Sequence, residues 1–342
     1  MKAVQLISHG VPGQFQISEL PDPQPGPEEV ILEVKACGLN HLDLWCEAGA
    51  LPIPLRLPLT PGCEIAGRIT ALGADVDEWR VGERVAVQSN LFCGECEFCL
   101  RGDESLCLNS QLIGVQRDGG FAERVIVPWR ALVRLPEDVS FEASAALTLA
   151  GSTAMHMLTD RAEVHPGEWV LVVGGASGVG SVAIQIAKGL GARVASTGST
   201  EVKRELAKSL GADFVLDSNL ANWPAEVRRI TEKRGIDLII EHSGGQVLER
   251  AFDCLARGGT IVTCGATSGR EVTLNLWPFF VKQHRLIGSY GRNRSDMAAV
   301  LDWAAKGKLK PVIDRTYPLA ETVRAFAQLR DRNVLGKLLI VP

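Results

Sequence analysis

Apolar positions in the middle of the chain form short unbroken runs that alternate with helical patterns. The segment Trp169 to Val173 is an apolar strand that leads into glycines and then into a helix from about Gly178 to Leu190. Further strands follow at "ARVAST", "FVLD", "IDLIIEHSGG" and "GGTIVTCGA", and the helical segment "EVKRELAKSLGA" separates the first two. Such alternation is typical of a parallel sheet with helices on both faces. The pattern predicts an α/β fold with a doubly wound parallel sheet.

The two ends of the chain have a different pattern. A proline-rich segment, "PDPQPGPEEV", precedes apolar strands at 30–36, 65–72 and 84–87, and the C-terminal "VRAFAQLRDRNVLGKLLIVP" reads as a helix, a turn and a last strand. These features are compatible with a β-rich unit. Because 342 residues exceed what one hydrophobic core usually serves, we expect two domains.

Composition and charge exclude several classes of protein. Hydrophobic residues make up 46% and charged residues 22%, with 35 glycines, which is typical of a globular protein rather than a disordered one. A net charge of −4 with no basic run argues against a nucleic-acid partner. The N-terminal "MKAVQLISHGVPG" has no apolar run that would serve as a signal peptide or a membrane span. We expect a cytoplasmic protein with no membrane partner.

Four of the nine cysteines predict a metal site. In "CGECEFCLRGDESLC" they follow a C-x2-C-x2-C-x7-C pattern, and four thiolates this close in sequence can form a tetrahedral zinc shell. In a bacterial ferredoxin-type iron–sulfur site the fourth cysteine follows after three residues and precedes proline, whereas here it follows after seven and precedes Leu108. Four protein ligands leave no open position for substrate, so the zinc would be structural. The predicted ligands are Cys93, Cys96, Cys99 and Cys107.

The glycines after the first strand of the α/β unit predict a dinucleotide site. Gly175 and Gly180 fit the pattern G-x-G-x-x-G, and Ser177 stands at the middle position. A helix that begins after such a turn offers backbone N–H groups and a positive dipole to a diphosphate. A purely structural glycine turn is the alternative. The predicted cofactor residues are Gly175, Ser177, Gly178, Val179, Gly180, Thr197, Ser199, Lys203, Ser243 and Gly265.

The end of the second strand bears on the choice of cofactor. An acidic residue there would bind the ribose 2′-OH of NAD, but the chain has Thr197 to Thr200 and then Lys203 and Arg204. Hydroxyl groups and a cation suit a 2′-phosphate, so we expect NADP(H). The alternative is that Lys203 and Arg204 are only the solvated face of the next helix.

These motifs together resemble the medium-chain dehydrogenase/reductase superfamily, with "GCEIAGRITALG" upstream and "GKLLIVP" at the end. The resemblance covers nearly the whole chain. It implies a GroES-like catalytic domain at 1–150 and 289–342, with the zinc lobe at 93–107, and a Rossmann domain at 151–288. It also implies a homodimer or homotetramer and a small-molecule substrate.

Zinc alcohol dehydrogenases of this superfamily use three ligands that this chain replaces. Their cysteine is matched by Asn40, the histidine of their G-H-E motif by Cys63, and their third ligand by Leu149. One thiolate and an amide make a poor zinc site. A rearranged site built from Cys63, Glu64 and either Cys37 or His41 is the alternative.

The motif "GLNHLDLW" instead resembles the zinc-independent quinone oxidoreductase and enone reductase branch, although Trp45 stands where many of those enzymes have tyrosine. The resemblance implies hydride transfer from NADPH to a quinone or an α,β-unsaturated carbonyl compound. Asn40 and His41 are the candidate hydrogen-bond donors to substrate, and Asp43 is a candidate supporting residue. A zinc-dependent alcohol dehydrogenase and a non-catalytic NADPH-binding protein remain the alternatives.

Overall fold

The computed structural model describes residues 1–342, which divide into two compact units. The first comprises Met1–Ser152 and Gly291–Pro342, and the second comprises Thr153–Tyr290. The strands are β1 Lys2–Ser8, β2 Gln14–Glu19, β3 Glu29–Leu39, β4 Glu64–Leu72, β5 Arg84–Val87, β6 Asn90–Leu91, β7 Gln111–Leu112, β8 Arg124–Pro128, β9 Leu132–Arg134, β10 Trp169–Val172, β11 Arg193–Gly198, β12 Phe214–Asp217, β13 Ile236–Glu241, β14 Leu255–Thr263, β15 Arg285–Gly288, β16 Ile313–Pro318 and β17 Lys337–Val341.

The α-helices are α1 His41–Glu47, α2 Glu97–Leu100, α3 Phe141–Leu147, α4 Ala150–Met155, α5 Gly178–Gly189, α6 Glu201–Ser209, α7 Trp223–Ile230, α8 Gly245–Ala251, α9 Leu276–Val281, α10 Arg294–Ala305 and α11 Thr322–Arg330. No helix is both long and apolar enough to cross a lipid bilayer.

A largely antiparallel sheet organises the first unit. Its order is β16-β17-β3-β4-β5-β9, and β8 also pairs with β3. The C-terminal strand β17 pairs antiparallel with β3, and Leu338 is opposite Leu39. This register brings Lys337 next to Asn40, where β3 ends. The core on this sheet includes Trp79, Phe121 and Phe326, each at most 1% exposed.

A six-stranded parallel sheet forms the second unit. Its order is β12-β11-β10-β13-β14-β15, so the first strand in sequence, β10, lies inside the sheet. Every residue of β10 is buried, as expected for a parallel strand with both faces covered. This order is that of a doubly wound dinucleotide-binding sheet, which binds its ligand at the carboxyl ends of the strands. The expected doubly wound parallel sheet and the β-rich unit beside it in sequence are both present.

Candidate active site, zinc lobe and cofactor turn

Asp43 fixes the start of α1 to the loop that precedes β4. Its Oδ2 accepts the Asn40 N–H at 2.8 Å, and its Oδ1 accepts the Gly62 N–H at 3.2 Å. The side chain is 1% exposed. Burial raises the pKa of Asp43 to about 7, although these two N–H groups and the Lys337 ammonium act in the opposite direction. The side chain of Asp43 therefore joins the start of α1 to the loop before β4.

Glu64 is a fully buried carboxylate with four donors around it. Its Oε1 accepts the backbone N–H groups of Leu149 at 2.6 Å and Ala150 at 3.1 Å. Its Oε2 lies 2.7 Å from Lys337 Nζ and 3.1 Å from Asn40 Nδ2. Gly38 leaves room for this arrangement, because a Cβ there would lie 2.6 Å from Glu64 Oε2. The carboxylate is therefore fixed between β3, β17 and the start of α4.

Lys337 is the cation of this buried network. Its Nζ donates to Asn40 Oδ1 at 2.6 Å and to the Leu39 carbonyl at 2.8 Å, in addition to the ion pair with Glu64. Its side chain is 6% exposed and that of Glu64 is 0% exposed. An ammonium group has three donors, and all three are used here.

This network does not fit a catalytic zinc ion. Leu149 offers no ligand atom, Asn40 Oδ1 accepts from Lys337, and the Glu64 charge is already neutralised by that lysine. Cys63 is fully buried, and burial, followed by the nearby carboxylates of Asp43 and Glu64, raises the pKa of its thiol. Cys63 and Glu64 belong to no group of three or more metal-ligating side chains, so the rearranged site is not formed.

The structure changes the expected role of Asn40. Its Nδ2 donates to the Gly38 carbonyl at 3.1 Å as well as to Glu64, so both of its N–H bonds are engaged. Asn40 therefore positions Lys337 and Glu64 rather than donating to a substrate. His41 is the exposed first residue of α1. Cys37 is fully buried and packs within the core of the first unit, in agreement with a packing role.

The four cysteines of the lobe do come together. The Sγ–Sγ distances are 3.9 Å for Cys93 and Cys99, 3.5 Å for Cys96 and Cys99, and 3.6 Å for Cys107 and Cys93. A tetrahedral zinc with bonds of about 2.3 Å requires sulfur separations of about 3.8 Å. Backbone N–H groups of Cys99 and Leu108 lower the pKa of Cys96 to about 6, whereas burial raises the pKa of Cys99 to about 12. These residues fit a closed zinc site with four cysteine ligands.

The glycine-rich turn of the second unit leaves no room for side chains. A Cβ at Gly175 would lie 2.1 Å from Ser196 Oγ, and one at Gly180 would lie 2.2 Å from the Gly174 carbonyl oxygen. Ser177 Oγ accepts the Gly180 N–H at 2.9 Å and caps α5, whose first turn is Gly178, Val179 and Gly180. The close approach of strand and helix directs the α5 N-terminus outward, and it fits the diphosphate of a dinucleotide.

Three other predicted cofactor residues frame this turn. Thr197 is 2% exposed, and its Oγ1 accepts the Gly174 N–H at 3.0 Å. The hydroxyl of Thr197 therefore supports the turn instead of facing a ribose. The Ser243 N–H donates to Glu241 Oε1 at 2.5 Å. A Cβ at Gly265 would lie 2.3 Å from the His242 carbonyl oxygen, so Gly265 allows the ends of β13 and β14 to approach.

The edge at the end of β11 contains a pair that the sequence did not reveal. Arg204 Nη1 lies 3.2 Å from Asp217 Oδ2 and donates to the Gly198 carbonyl at 3.2 Å. Ser199 is exposed, and Lys203 is half-buried in the first turn of α6, whose N-cap is Thr200. Asp217 is opposite Gly198 across the strands, so an acid does lie near this edge, but Arg204 neutralises it.

Sequence reasoning also missed Lys337 and His242. Lys337 belongs to the quoted "GKLLIVP", but only the pairing of β17 with β3 reveals its partner. His242 Nε2 lies 3.1 Å from Ser177 Oγ, and no motif indicated this contact.

Comparisons with known proteins cover both units. Residues 26–137 match the alcohol dehydrogenase GroES-like domain family, and residues 178–306 match the zinc-binding dehydrogenase family. An NAD-dependent alcohol dehydrogenase of Saccharolobus solfataricus is 32% identical, with 100% of each chain covered. The crystal structure of an NAD-dependent alcohol dehydrogenase has a TM-score of 0.96 at 38% identity and covers 100% of both chains. A protein from Sinorhizobium meliloti 1021, solved bound to NADP, has a TM-score of 0.89 at 27% identity, with coverage of 100% and 99%.

Proposed function

Because the chain belongs to the zinc-type medium-chain dehydrogenase/reductase superfamily and is an NAD(P)-dependent oxidoreductase, we propose that it transfers hydride from NADPH to a quinone or an α,β-unsaturated carbonyl compound without a catalytic zinc. The observation that carries the proposal is the Glu64–Lys337–Asn40 network. Its Asn40 stands at one of the three positions where zinc-dependent relatives of the resembled type have a ligand, and the polar groups of the network already bond to one another.

The acceptor class follows from the chemistry that remains. A simple aldehyde needs a Lewis acid or a strong donor for the developing alkoxide. In a quinone or an enone the charge that arrives with hydride spreads to a distant oxygen, and hydrogen-bond donors suffice to stabilise it. Bound NADPH supplies the hydride. His41, exposed at the start of α1, is the proposed donor, Asn40 is a positioning residue, and Asp43 holds the loop.

A zinc-dependent alcohol dehydrogenase is the second candidate, and the names of the relatives favour it. Those relatives are called alcohol dehydrogenases, and several are called NAD-dependent. The candidate requires a second zinc in the first unit, which the residues around Cys63 do not support.

A substrate panel separates the candidates. NADPH and NADH oxidation is measured with quinones, enones and simple aldehydes, and NADP⁺ and NAD⁺ reduction is measured with primary and secondary alcohols. The proposal expects turnover with conjugated acceptors and at least about 100-fold less with simple aldehydes, because one well-placed stabiliser of the oxyanion contributes about this much. Turnover of alcohols alone would support the second candidate, and binding of NADPH without any turnover would indicate a non-catalytic protein.

We also propose NADP(H) as the cofactor and the four-cysteine lobe as the holder of one structural zinc. Ser199 and Lys203 support the first part, because they offer a hydroxyl and a cation at the end of β11 while Arg204 neutralises Asp217. The four cysteines support the second. None of the nine cysteines forms a disulfide, which fits the cytoplasm, the location that we propose.

The proposed assembly is a homo-oligomer. In the second unit β15 is an edge strand, and α9 exposes Trp277 at 71% and Phe280 at 57%. Edge strands with exposed apolar neighbours favour association, and closed two-fold pairing is the commonest form. Light scattering after size exclusion should give a multiple of the 36.8 kDa chain, and Trp277→Ser should reduce that mass.

A further inference from the structure

His242 lies at the carboxyl end of β13 and reaches the glycine-rich turn. Its Nε2 is 3.1 Å from Ser177 Oγ, and a Cβ on Gly174 would lie 3.3 Å from its Cε1. Ser177 Oγ already accepts the Gly180 N–H at 2.9 Å. A hydroxyl has one donor and two lone pairs, so the direction of the Ser177–His242 hydrogen bond depends on whether His242 Nε2 carries a proton.

The neutral form of the imidazole is favoured in the protein without a ligand. Burial lowers the pKa of His242 below its ordinary value of 6.5, while the Glu241 carboxylate and the Val173 carbonyl act in the opposite direction. An unprotonated Nε2 accepts the hydrogen bond from the Ser177 hydroxyl. In that state Ser177 has no donor left for a ligand at the N-terminus of α5.

Few other ionisable groups face His242. From its own strand Glu241 is 0% exposed, and its carboxylate accepts from the N–H of Gly244 and from Thr263 Oγ1, both at 2.9 Å. From the end of β14 comes Cys264, and burial raises the pKa of its thiol to about 12, so it stays neutral. The first turn of α5 contains no acidic residue, and β10 contains only apolar ones. A bound diphosphate would therefore be the main new charge near the ring.

We propose that His242 is a proton-linked contact for the cofactor diphosphate. When the diphosphate occupies the N-terminus of α5, His242 takes one proton from solvent, and its Nε2–H then donates to Ser177 Oγ. The Ser177 hydroxyl becomes free to donate to a diphosphate oxygen. No other bond forms or breaks. The inference rests on the proposed cofactor site and adds a regulation to it, since cofactor affinity then depends on pH.

The sign of the pH dependence follows from linkage. The pKa of His242 is higher in the complex than in the free protein, so the added binding free energy is present in full below the free pKa and is lost as pH rises through the pKa of the complex. An opposite charge within about 4–6 Å changes a pKa by roughly 1–3 units, and each unit corresponds to tenfold in affinity. We expect the dissociation constant to rise with pH, by about tenfold in total for each unit by which binding raises the pKa of His242.

ADP-ribose is the suitable probe, because it carries the diphosphate and lacks both the nicotinamide and the 2′-phosphate, which titrates in the same range. Calorimetry at pH 5.5, 7 and 8.5, in two buffers with different ionisation enthalpies, measures affinity and proton uptake together. Wild type should take up a fraction of one proton on binding over the pH range in which its affinity changes. His242→Asn should show no uptake and little pH dependence. His165→Asn, at an exposed histidine of the same unit, should behave as wild type.

The outcomes separate this inference from the proposed function. If ADP-ribose binds equally well at all three pH values without proton uptake, the inference is overturned and the cofactor site stands. Proton uptake that persists in His242→Asn overturns it as well, because another group then titrates. If ADP-ribose binds at none of these pH values, the cofactor site and the inference both fail.

Discussion

Lys337→Met tests the buried network by removing its cation. The substitution leaves the Glu64 carboxylate, which is 0% exposed, without its ion-pair partner at 2.7 Å. It also removes the donor to Asn40 Oδ1 and to the Leu39 carbonyl. Breaking a buried pair by removing one partner costs about 3–5 kcal/mol, which is a large part of a typical domain stability of about 5–15 kcal/mol. We expect the unfolding free energy of the first unit to fall by at least about 3 kcal/mol.

Two further variants make this prediction specific. Lys306→Met removes an ion pair of the same length, 2.7 Å, whose side chains are 60% and 52% exposed, and it should change stability by less than about 0.5 kcal/mol. Glu64→Gln combined with Lys337→Met removes both charges of the pair, so that neither is left buried without its partner, and should recover at least about 1.5 kcal/mol of the loss.

Urea unfolding gives the free energies, and hydrogen exchange of the Leu149 and Ala150 amides reports on the Glu64 contacts directly. If Lys337→Met costs less than about 1 kcal/mol and leaves these amides protected, the assignment of a buried ion pair is wrong.

Three other predictions concern separate groups. Carboxyl ¹³C NMR should show the Asp43 side chain titrating near pH 7. Because this pKa lies above the ordinary 3.8, the contribution of Asp43 to stability is complete below about pH 4 and is lost as pH rises through 7. A titration of Asp43 below pH 5 would contradict the conclusion that burial raises its pKa. Cys107→Ser should lower the melting temperature and the bound zinc more than the turnover per folded molecule, and a metal-free wild type of full stability would refute the zinc lobe. Lys203→Ala should weaken NADPH binding about tenfold or more and NADH binding little, since one charge-assisted hydrogen bond is worth roughly 1.5–3 kcal/mol. The control Lys208→Ala, in the last turn of the same helix, should change the binding of neither cofactor. An equal loss of affinity for both cofactors in Lys203→Ala would contradict a contact with the 2′-phosphate.

Local patterns in the sequence were sufficient for the fold class. The buried strand Trp169–Val172 and the Ser177-capped helix after it are determined by neighbouring residues, so apolar runs and glycine spacing predict them. The four-cysteine lobe is predictable for the same reason, because its ligands lie within one short segment.

The side-chain network of the candidate site was not predictable in this way. Lys337 meets Asn40 and Glu64 only because β17 pairs with β3, which joins residues from opposite ends of the chain. The sequence consequently suggested Asn40 as a donor to substrate, whereas its amide is engaged by Glu64 and the Gly38 carbonyl. The contact between His242 and Ser177 likewise depends on how β13 lies beside β10.

The metal content of the purified, active protein tests the central claim most directly. Zinc per chain is measured by elemental analysis together with NADPH-dependent turnover of a quinone or an enone, before and after a chelator has removed weakly bound metal. The account predicts one zinc per chain, absent in a variant of the Cys93–Cys107 lobe, and turnover that persists without any second metal. Two zinc ions per chain, with the second lost in Cys63→Ala together with alcohol oxidation, would contradict it and assign the protein to the zinc-dependent alcohol dehydrogenases.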